Sequence, residues 1–146
     1  MTIAVDFDGT IVEHRYPRIG KEIPFAIETL KRLQEDRHRL ILWTVREGRL
    51  LDEAVTFCQE RGLVFYAVNQ DYPENIPVKR ISASRKLKVD VFIDDRNVGG
   101  LPDWGMIYEM ITQRKSYEEI LNHSQNVYNR KSKDNFISRL FRRGNH

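Results

Sequence analysis

Two short apolar runs in this sequence are followed by carboxylates, and a third is followed by a hydroxyl. The four acids concerned are Asp6, Asp8, Asp94 and Asp95. Thr44 follows the apolar run Leu40-Ile41-Leu42-Trp43. Four carboxylates at one place would repel each other unless a cation is present, and Mg²⁺ prefers oxygen ligands of this kind. Because such a cation would also neutralise an approaching phosphate, these residue types predict phosphate chemistry.

The elements that must position these residues are predicted from the apolar pattern. Four buried strands are predicted at residues 3–7, 40–43, 63–68 and 89–93. Two helices are predicted from apolar stripes between them, the first starting at Pro24 and the second capped by Gly62. This alternation predicts an α/β fold, a three-layer doubly wound (Rossmann-like) parallel sheet with helices on both faces. Ligands bind beyond the carboxyl ends of such strands, so the acids and Thr44 should converge there.

Composition sets further limits. The chain has 146 residues, one cysteine and a net charge of +3, and its only cysteine, Cys58, falls on the apolar stripe of the second helix. No run approaches the roughly 20 apolar residues of a membrane span, and no signal-peptide pattern begins the chain. We therefore expect no membrane span and a cytoplasmic location.

The positive charge belongs to the end of the chain. Residues 112–146 hold eight Lys or Arg against three Asp or Glu. We predict one core domain at 1–111 and a basic C-terminal helical extension at 112–146, with a helix near 135–142 that docks on the core. Contact of this extension with nucleic acid or a membrane surface is the alternative.

The sequence also resembles a known family. Asp6-Phe7-Asp8-Gly9-Thr10 resembles the first motif of the haloacid dehalogenase-like (HAD) phosphatase superfamily. Thr44 is similar to its second motif and Ile93-Asp94-Asp95 to its fourth, in the family's order, within about residues 1–100. The third motif is a lysine before the last strand, for which Lys79, Lys86 and Lys88 are the candidates. The arrangement in capless members favours Lys86.

The resemblance implies a magnesium-dependent phosphatase of the capless type. Asp6 would be the nucleophile that forms an aspartyl-phosphate, and Asp8 would protonate the leaving oxygen and then activate water. Mg²⁺ would be held by the Asp6 carboxylate, the Asp8 main-chain carbonyl and Asp94, with Asp95 close by. Thr44 and Lys86 would hold the phosphoryl oxygens.

Further residues near the motifs are candidates for substrate contact. Arg46 could reach the leaving group or pair with Glu47 in an exposed turn, and Arg96 is expected to orient Asp94 or Asp95. The stretch after the first motif forms a flap in this family, which makes its His14 and Tyr16 candidates as well, against a plain surface loop. The substrate-binding set predicted beside the motifs is Gly9, Thr10, Val45 and Arg46.

The substrate class is left open by the sequence. Neither cap insertion of the family fits here, so the site should be open, and small phosphomonoesters are the first expectation. A small substrate could also be enclosed by a neighbouring subunit of a homo-oligomer. The Asp94-Asp95-Arg96 run resembles the phosphatase domains of polynucleotide kinases, which makes a 3′-phosphate nucleic-acid end the alternative. A non-catalytic phosphate-binding module or a receiver-like signalling domain is the rival class, although the order of residues in receiver domains differs from that here.

Overall fold

Four short parallel strands form a single sheet. The computed structural model describes residues 1–73, 86–123, 125–126 and 131. The strands are β1 (Thr2–Val5), β2 (Arg39–Leu42), β3 (Ala67–Val68) and β4 (Val91–Ile93), in the spatial order β3-β2-β1-β4. Every pairing is parallel. The predicted Rossmann-like α/β fold is therefore confirmed.

β1, β3 and β4 are shorter than predicted, and backbone hydrogen bonds explain this for β1 and β3. β1 ends at Val5 because the Phe7 carbonyl accepts the N–H groups of residues 10–12 and so closes a turn. β3 contains only two residues, because the Leu63 N–H is used by the Cys58 carbonyl at the end of the preceding helix. The chain reaches the sheet only where the Tyr66 N–H donates to the Leu40 carbonyl at 2.8 Å.

Two helices connect the first three strands. α1 spans Ala26–Glu35 and α2 spans Gly48–Gln59. Pro24 is not the first residue of α1, since it lies in a turn in which the Ala26 N–H donates to the Ile23 carbonyl. Gly62 does close α2 as predicted, because its positive φ of 77° lets the next N–H return to the Cys58 carbonyl.

The core lies around the two central strands. Ile3 to Val5 of β1 and Leu40 to Leu42 of β2 are at most 1% exposed. Successive side chains of a strand point to opposite faces, so both faces of these strands are covered, as in a three-layer fold. Cys58 is buried as predicted, and burial raises the pKa of its thiol to about 12.

The chain divides into two units, Met1–Trp104 and Gly105–His146. α3 spans Trp104–Gln113, and residues 117–123 are also helical. The predicted domain boundary between residues 111 and 112 stays a prediction, and the predicted helix at 135–142 lies outside the described residues. Among the described residues, no helix combines the length and apolar character needed to cross a membrane.

The α1 stripe gives a test of the core. Leu30 is fully buried on α1, so Leu30→Ala should lower the free energy of unfolding by about 2 to 5 kcal/mol through lost burial and an unfilled cavity. Glu28→Ala, at an exposed position of the same helix, should change it by less than about 0.5 kcal/mol. Urea unfolding followed by circular dichroism measures both values, and equal losses would contradict the assigned core.

Candidate active and metal site

The carboxyl ends of β1 and β4 lie side by side where the strand order reverses. From β1 the chain continues to β2 on one side, whereas β4 lies on the other side of β1. Open α/β sheets bind ligands in the crevice at such a switch point. Asp6 extends the pairing by one residue, since its N–H donates to the Ile93 carbonyl at 2.9 Å. Asp6 and Asp94 therefore leave adjoining strands at the same edge.

Three of the four predicted acids converge at this edge. Asp6, Asp94 and Asp95 each offer a carboxylate oxygen, and these oxygens lie within 4.8 Å of one another. We call these three residues the acidic cluster. The Asp8 carboxylate is not part of it. The predicted bond from the Asp8 main-chain carbonyl to a metal stays a prediction.

The acidic cluster fits a hard divalent cation. Its oxygen-only donor set is the one that Mg²⁺ prefers. Asp95 Oδ1 is buried and has no hydrogen-bond partner among the described residues, although buried polar atoms normally have one. A cation bound between the three carboxylates would give this oxygen a partner and offset the repulsion between the charges.

The environment of Asp6 raises its pKa from 3.8 to about 6. Burial of the carboxyl is the largest cause, and the negative charges of Asp94 and Asp95 add to it. Hydrogen bonds from Phe7 and Thr10 act in the opposite direction. Charging Asp6 in the metal-free protein is therefore unfavourable, and a bound cation would reverse this.

Gly9 and Thr10 hold the acidic cluster together. The Thr10 hydroxyl donates to Asp6 Oδ2 at 3.1 Å, and its oxygen accepts the Asp95 N–H at 3.1 Å. Gly9 has a φ of 93°, and a Cβ at this position would overlap the Asp95 carboxylate. Thr10 is fully buried and the Gly9 N–H donates to the Val12 carbonyl. The Thr10 side chain and the Gly9 N–H are thus used in positioning, and the predicted substrate contact of Gly9 and Thr10 stays a prediction.

Thr44 lies at the end of β2 and is positioned by a residue that the sequence analysis missed. The Thr44 N–H donates to Asn69 Oδ1 at 2.8 Å, and the Thr44 hydroxyl oxygen accepts the Arg46 N–H at 3.2 Å. Asn69 follows β3 directly and has a φ of 53°. The rule that identified Asp6, a polar residue directly after a strand, would also have identified Asn69.

Arg46 makes a buried ion pair with Asp8. The Arg46 side chain is 0% exposed and the Asp8 side chain is 6% exposed. Arg46 Nε donates to Asp8 Oδ2 and Arg46 Nη2 donates to Asp8 Oδ1, both at 2.7 Å. The predicted exposed pair with Glu47 is wrong, because the Arg46 side chain is buried against Asp8, and a contact of Arg46 with the leaving group stays a prediction. The fixed fork of the guanidinium matches both carboxylate oxygens at once.

The same guanidinium holds a hairpin that follows the first motif. Backbone bonds join residues 11–13 to 21–23, and we call residues 13–21 the flap. Arg46 donates to the carbonyls of Pro17 and Arg18 in the flap, each at 3.0 Å. Its Cζ lies 5.2 Å from the centre of the Phe7 ring and 5.4 Å from that of Tyr16. Arg46 thus joins the loop after β1 to the flap.

A cavity of about 550 Å³ opens beside the acidic cluster. Its lining residues are Asp6, Asp8, His14, Tyr16, Trp43, Thr44, Val45, Asp94 and Arg96. The structure therefore brings five of the ten predicted site residues to this cavity, together with both flap residues named from the sequence. The Arg96 N–H donates to Asp94 Oδ1 at 2.8 Å, so Arg96 orients Asp94 through its backbone while its exposed side chain lines the cavity.

Neither described candidate for the third-motif lysine, Lys86 or Lys88, lines this cavity. Lys86 is exposed and is not a lining residue. Lys88 is also exposed, and its N–H donates to an oxygen of Asp71 at 3.2 Å. Lys79 lies outside the described residues. A phosphate contact by Lys86 stays a prediction.

One solved structure is similar to this chain. It is that of a conserved protein from Bacteroides thetaiotaomicron, which is 70% identical in sequence and superposes with a TM-score of 0.76. The match covers 82% of this chain and 96% of that one. No family model and no curated protein matches the chain.

Gly9 and Gly99 form a matched pair for testing the close approach to Asp95. Both have a φ of 93°, but a Cβ at Gly99 would meet nothing within 4 Å. Gly99→Ala should cost only about 1 kcal/mol of backbone strain. Gly9→Ala carries the same strain and also displaces Asp95, so it should weaken Mg²⁺ binding at least tenfold. Calorimetric titration measures the affinity for Mg²⁺, and thermal unfolding measures the loss of stability. If the two variants bind Mg²⁺ with equal affinity, Gly9 does not have the proposed role.

Asp6 gives a test that depends on pH. Its pKa is raised in the folded protein, so the stability that its protonated form provides is complete below about pH 4 and is lost as the pH rises through 6. With a chelator present, Asp6→Asn should therefore be more stable than the parent at pH 7.5 by about 1 to 2 kcal/mol, after allowance for solvent screening. The difference should vanish near pH 4. Thermal unfolding at pH 7.5 and at pH 4 measures this difference in stability. If Asp6→Asn is less stable than the parent at pH 7.5, the charged Asp6 carboxylate does not destabilise the metal-free protein.

Proposed function

We propose that this chain, which belongs to the same family as the conserved Bacteroides thetaiotaomicron protein, is a magnesium-dependent HAD-like phosphatase. It hydrolyses phosphomonoesters through an aspartyl-phosphate on Asp6. The observation that carries the proposal is the acidic cluster, whose oxygens converge within 4.8 Å at the switch point of the sheet. Thr44 lies in the same cavity and supplies the hydroxyl that a phosphate would need.

The acidic cluster would hold the cation through Asp6, Asp94 and Asp95. When bound there, Mg²⁺ supplies positive charge that offsets the charge of an incoming phosphoryl group. The Thr10 hydroxyl donates to one oxygen of Asp6, and the Asp95 N–H in turn donates to Thr10. These contacts fix the plane of the Asp6 carboxylate, which is what an in-line attack on phosphorus requires.

The reaction uses Asp6 as a nucleophile. A bond forms between a carboxylate oxygen of Asp6 and phosphorus while the bond from phosphorus to the leaving oxygen breaks. The Thr44 hydroxyl oxygen already accepts the Arg46 N–H, so its proton is free to point to a phosphoryl oxygen. Water then attacks the phosphorus of the aspartyl-phosphate and restores the Asp6 carboxylate. Asp8 lines the cavity and can accept a hydrogen bond from this water.

The cavity walls bear on the kind of substrate. Beside the acids lie the side chains of Tyr16, Trp43 and Val45, and Val45 is 72% exposed. Apolar and aromatic side chains at the mouth of a polar site suit the organic part of a small phosphomonoester. Hydrolysis of a nucleic-acid 3′-phosphate end and enclosure of the site by a second subunit stay predictions.

The proposal is tested by hydrolysis of 4-nitrophenyl phosphate. The parent should release phosphate with Mg²⁺ and lose this activity when the metal is chelated. Asp6→Asn removes the nucleophile and should lower kcat by at least about a thousandfold, since no covalent intermediate can form. Phosphate release and acid-quenched labelling of the protein by the substrate's phosphate measure both steps.

Asp52→Asn is the matched control, because Asp52 is an exposed acid of α2. This variant should retain the activity of the parent. Thermal unfolding of both variants shows whether each is folded. Absence of phosphate release and of labelling from the folded parent with Mg²⁺ would overturn the proposal.

A further inference from the structure

Tyr16 is an aromatic side chain that the fold leaves exposed at the substrate cavity. It is 48% exposed and lines the same cavity as Asp6 and Thr44. Because apolar surface gains free energy when it is removed from water, such a ring is a surface on which a ligand can bind. The proposed reaction uses the acids and Thr44 but gives Tyr16 no role.

The Tyr16 ring is held in place from one side. Arg46 Cζ lies over the ring, 5.4 Å from its centre, and Arg46 is fully buried by its pair with Asp8. Arg46 also donates to the carbonyls of the next two residues, Pro17 and Arg18, each at 3.0 Å. One face of the ring therefore rests against a fixed cation, and the exposed part of the ring is left for a ligand.

The backbone of the flap keeps Tyr16 in this position. The Glu13 N–H donates to the Lys21 carbonyl at 2.7 Å. Gly20 approaches Glu13 so closely that a Cβ at Gly20 would overlap the Glu13 carbonyl oxygen. The two arms of the flap are thus closed against each other. A ring on a fixed support loses little conformational freedom when a ligand binds, which favours recognition by this side chain.

Trp43 supplies a second aromatic surface close to the expected position of the phosphate. Its N–H donates to the Val5 carbonyl at 2.8 Å, and its side chain packs against the buried cluster around Ile41. Trp43 also lines the cavity. The next residue is Thr44, which would hold a phosphoryl oxygen, and consecutive Cα atoms are only about 3.8 Å apart. A group bonded directly to the phosphate is therefore within reach of an aromatic side chain.

We propose that Tyr16 determines specificity and that the organic part of the substrate is a flat aromatic ring that stacks on it. The inference rests on the proposed function and names its substrate class, a phosphomonoester whose ring is joined to the ester oxygen directly or through one carbon. The cavity of about 550 Å³ lies in the size range of small-ligand sites, so it can hold one such ring beside the phosphate.

A saturated ring of the same size would bind less well. It would bury a similar apolar area against Tyr16 and Val45, so burial alone predicts no preference for the flat ring. Aromatic pairs in offset-stacked or edge-to-face arrangements are more stable than their buried area accounts for. This extra stability corresponds to a preference of roughly three- to tenfold for the aromatic ring.

The test compares benzyl phosphate with cyclohexylmethyl phosphate. Both esters release a primary alcohol of similar acidity, so the ratio of their kcat/KM values reports the contribution of the ring. The parent with Mg²⁺ should prefer benzyl phosphate by roughly three- to tenfold. Benzylphosphonate and cyclohexylmethylphosphonate cannot be hydrolysed, and calorimetric titration with Mg²⁺ present should give the same preference in their Kd values.

Variants of Tyr16 assign the preference to this side chain. Tyr16→Leu keeps apolar surface without a ring, so the ratio should fall below about twofold, whereas Tyr16→Phe keeps the ring and should retain the ratio. Circular dichroism and thermal unfolding establish that each variant is folded. If Tyr16→Leu does not fold, the two ratios measured on the parent decide.

Tyr66→Leu is the matched control. Tyr66 is also an exposed tyrosine with an arginine over its ring, since Arg39 Cζ lies 5.1 Å from the ring centre. It comes directly before β3, at the amino ends of the strands, and does not line the cavity. This variant should keep the ratio of the parent.

The outcomes separate the inference from the proposed function. A folded parent that hydrolyses both esters with equal kcat/KM overturns the inference and leaves the phosphatase intact. An unchanged ratio in folded Tyr16→Leu also overturns it, because the preference then comes from another part of the protein. Absence of phosphate release and of labelled protein with both esters overturns the proposed function. In that case equal affinity of the parent for the two phosphonates overturns the inference as well.

Discussion

The buried ion pair between Asp8 and Arg46 is the contact on which the arrangement of the site depends. It joins the loop after β1 to the loop after β2, and the two flap carbonyls extend it to a third segment. A guanidinium that is 0% exposed is tolerated only when its donors are satisfied, so these three segments must close together. The position of Tyr16 at the cavity follows from this closure, because its ring lies 5.4 Å from Arg46 Cζ.

The acidic cluster differs, since its three carboxylates have no such cationic partner among the residues that the structure describes. The Thr10 hydroxyl, a neutral group, links Asp6 to the Asp95 backbone. Gly9 has no Cβ and therefore leaves room for the Asp95 carboxylate. Burial and mutual repulsion raise the pKa of Asp6 to about 6, so the metal-free site is strained when it is charged. Functional sites commonly lower the stability of the fold in this way, and a bound cation would recover the loss.

The convergence of Asp6, Asp94 and Asp95 could be predicted from the sequence, because parallel strands carry polar residues at their carboxyl ends to one edge. The parallel α/β sheet and the burial of β1 and β2 followed from the apolar runs by the same kind of rule. The pairing of Arg46 with Asp8 could not, since 37 residues separate them and only the closure of the flap buries the guanidinium. β3 was predicted too long because the apolar run from Leu63 does not reveal that its first N–H closes α2.

The four acids thus have two different roles, one in an ion pair within the protein and three in the acidic cluster. Asp8 is neutralised from within the protein, and Asp8 and Arg46 are the only charged side chains among the buried polar residues that the structure describes. Asp6, Asp94 and Asp95 are only partly buried, and Asp6 and Asp94 line a cavity. If Arg46 lay nearer the cluster, it would compete with a cation for the same oxygens. Because Arg46 is placed against Asp8, its positive side chain stays away from the metal ligands and still holds the flap beside them. This separation allows the same edge of the sheet to attract a cation and to form a substrate cavity.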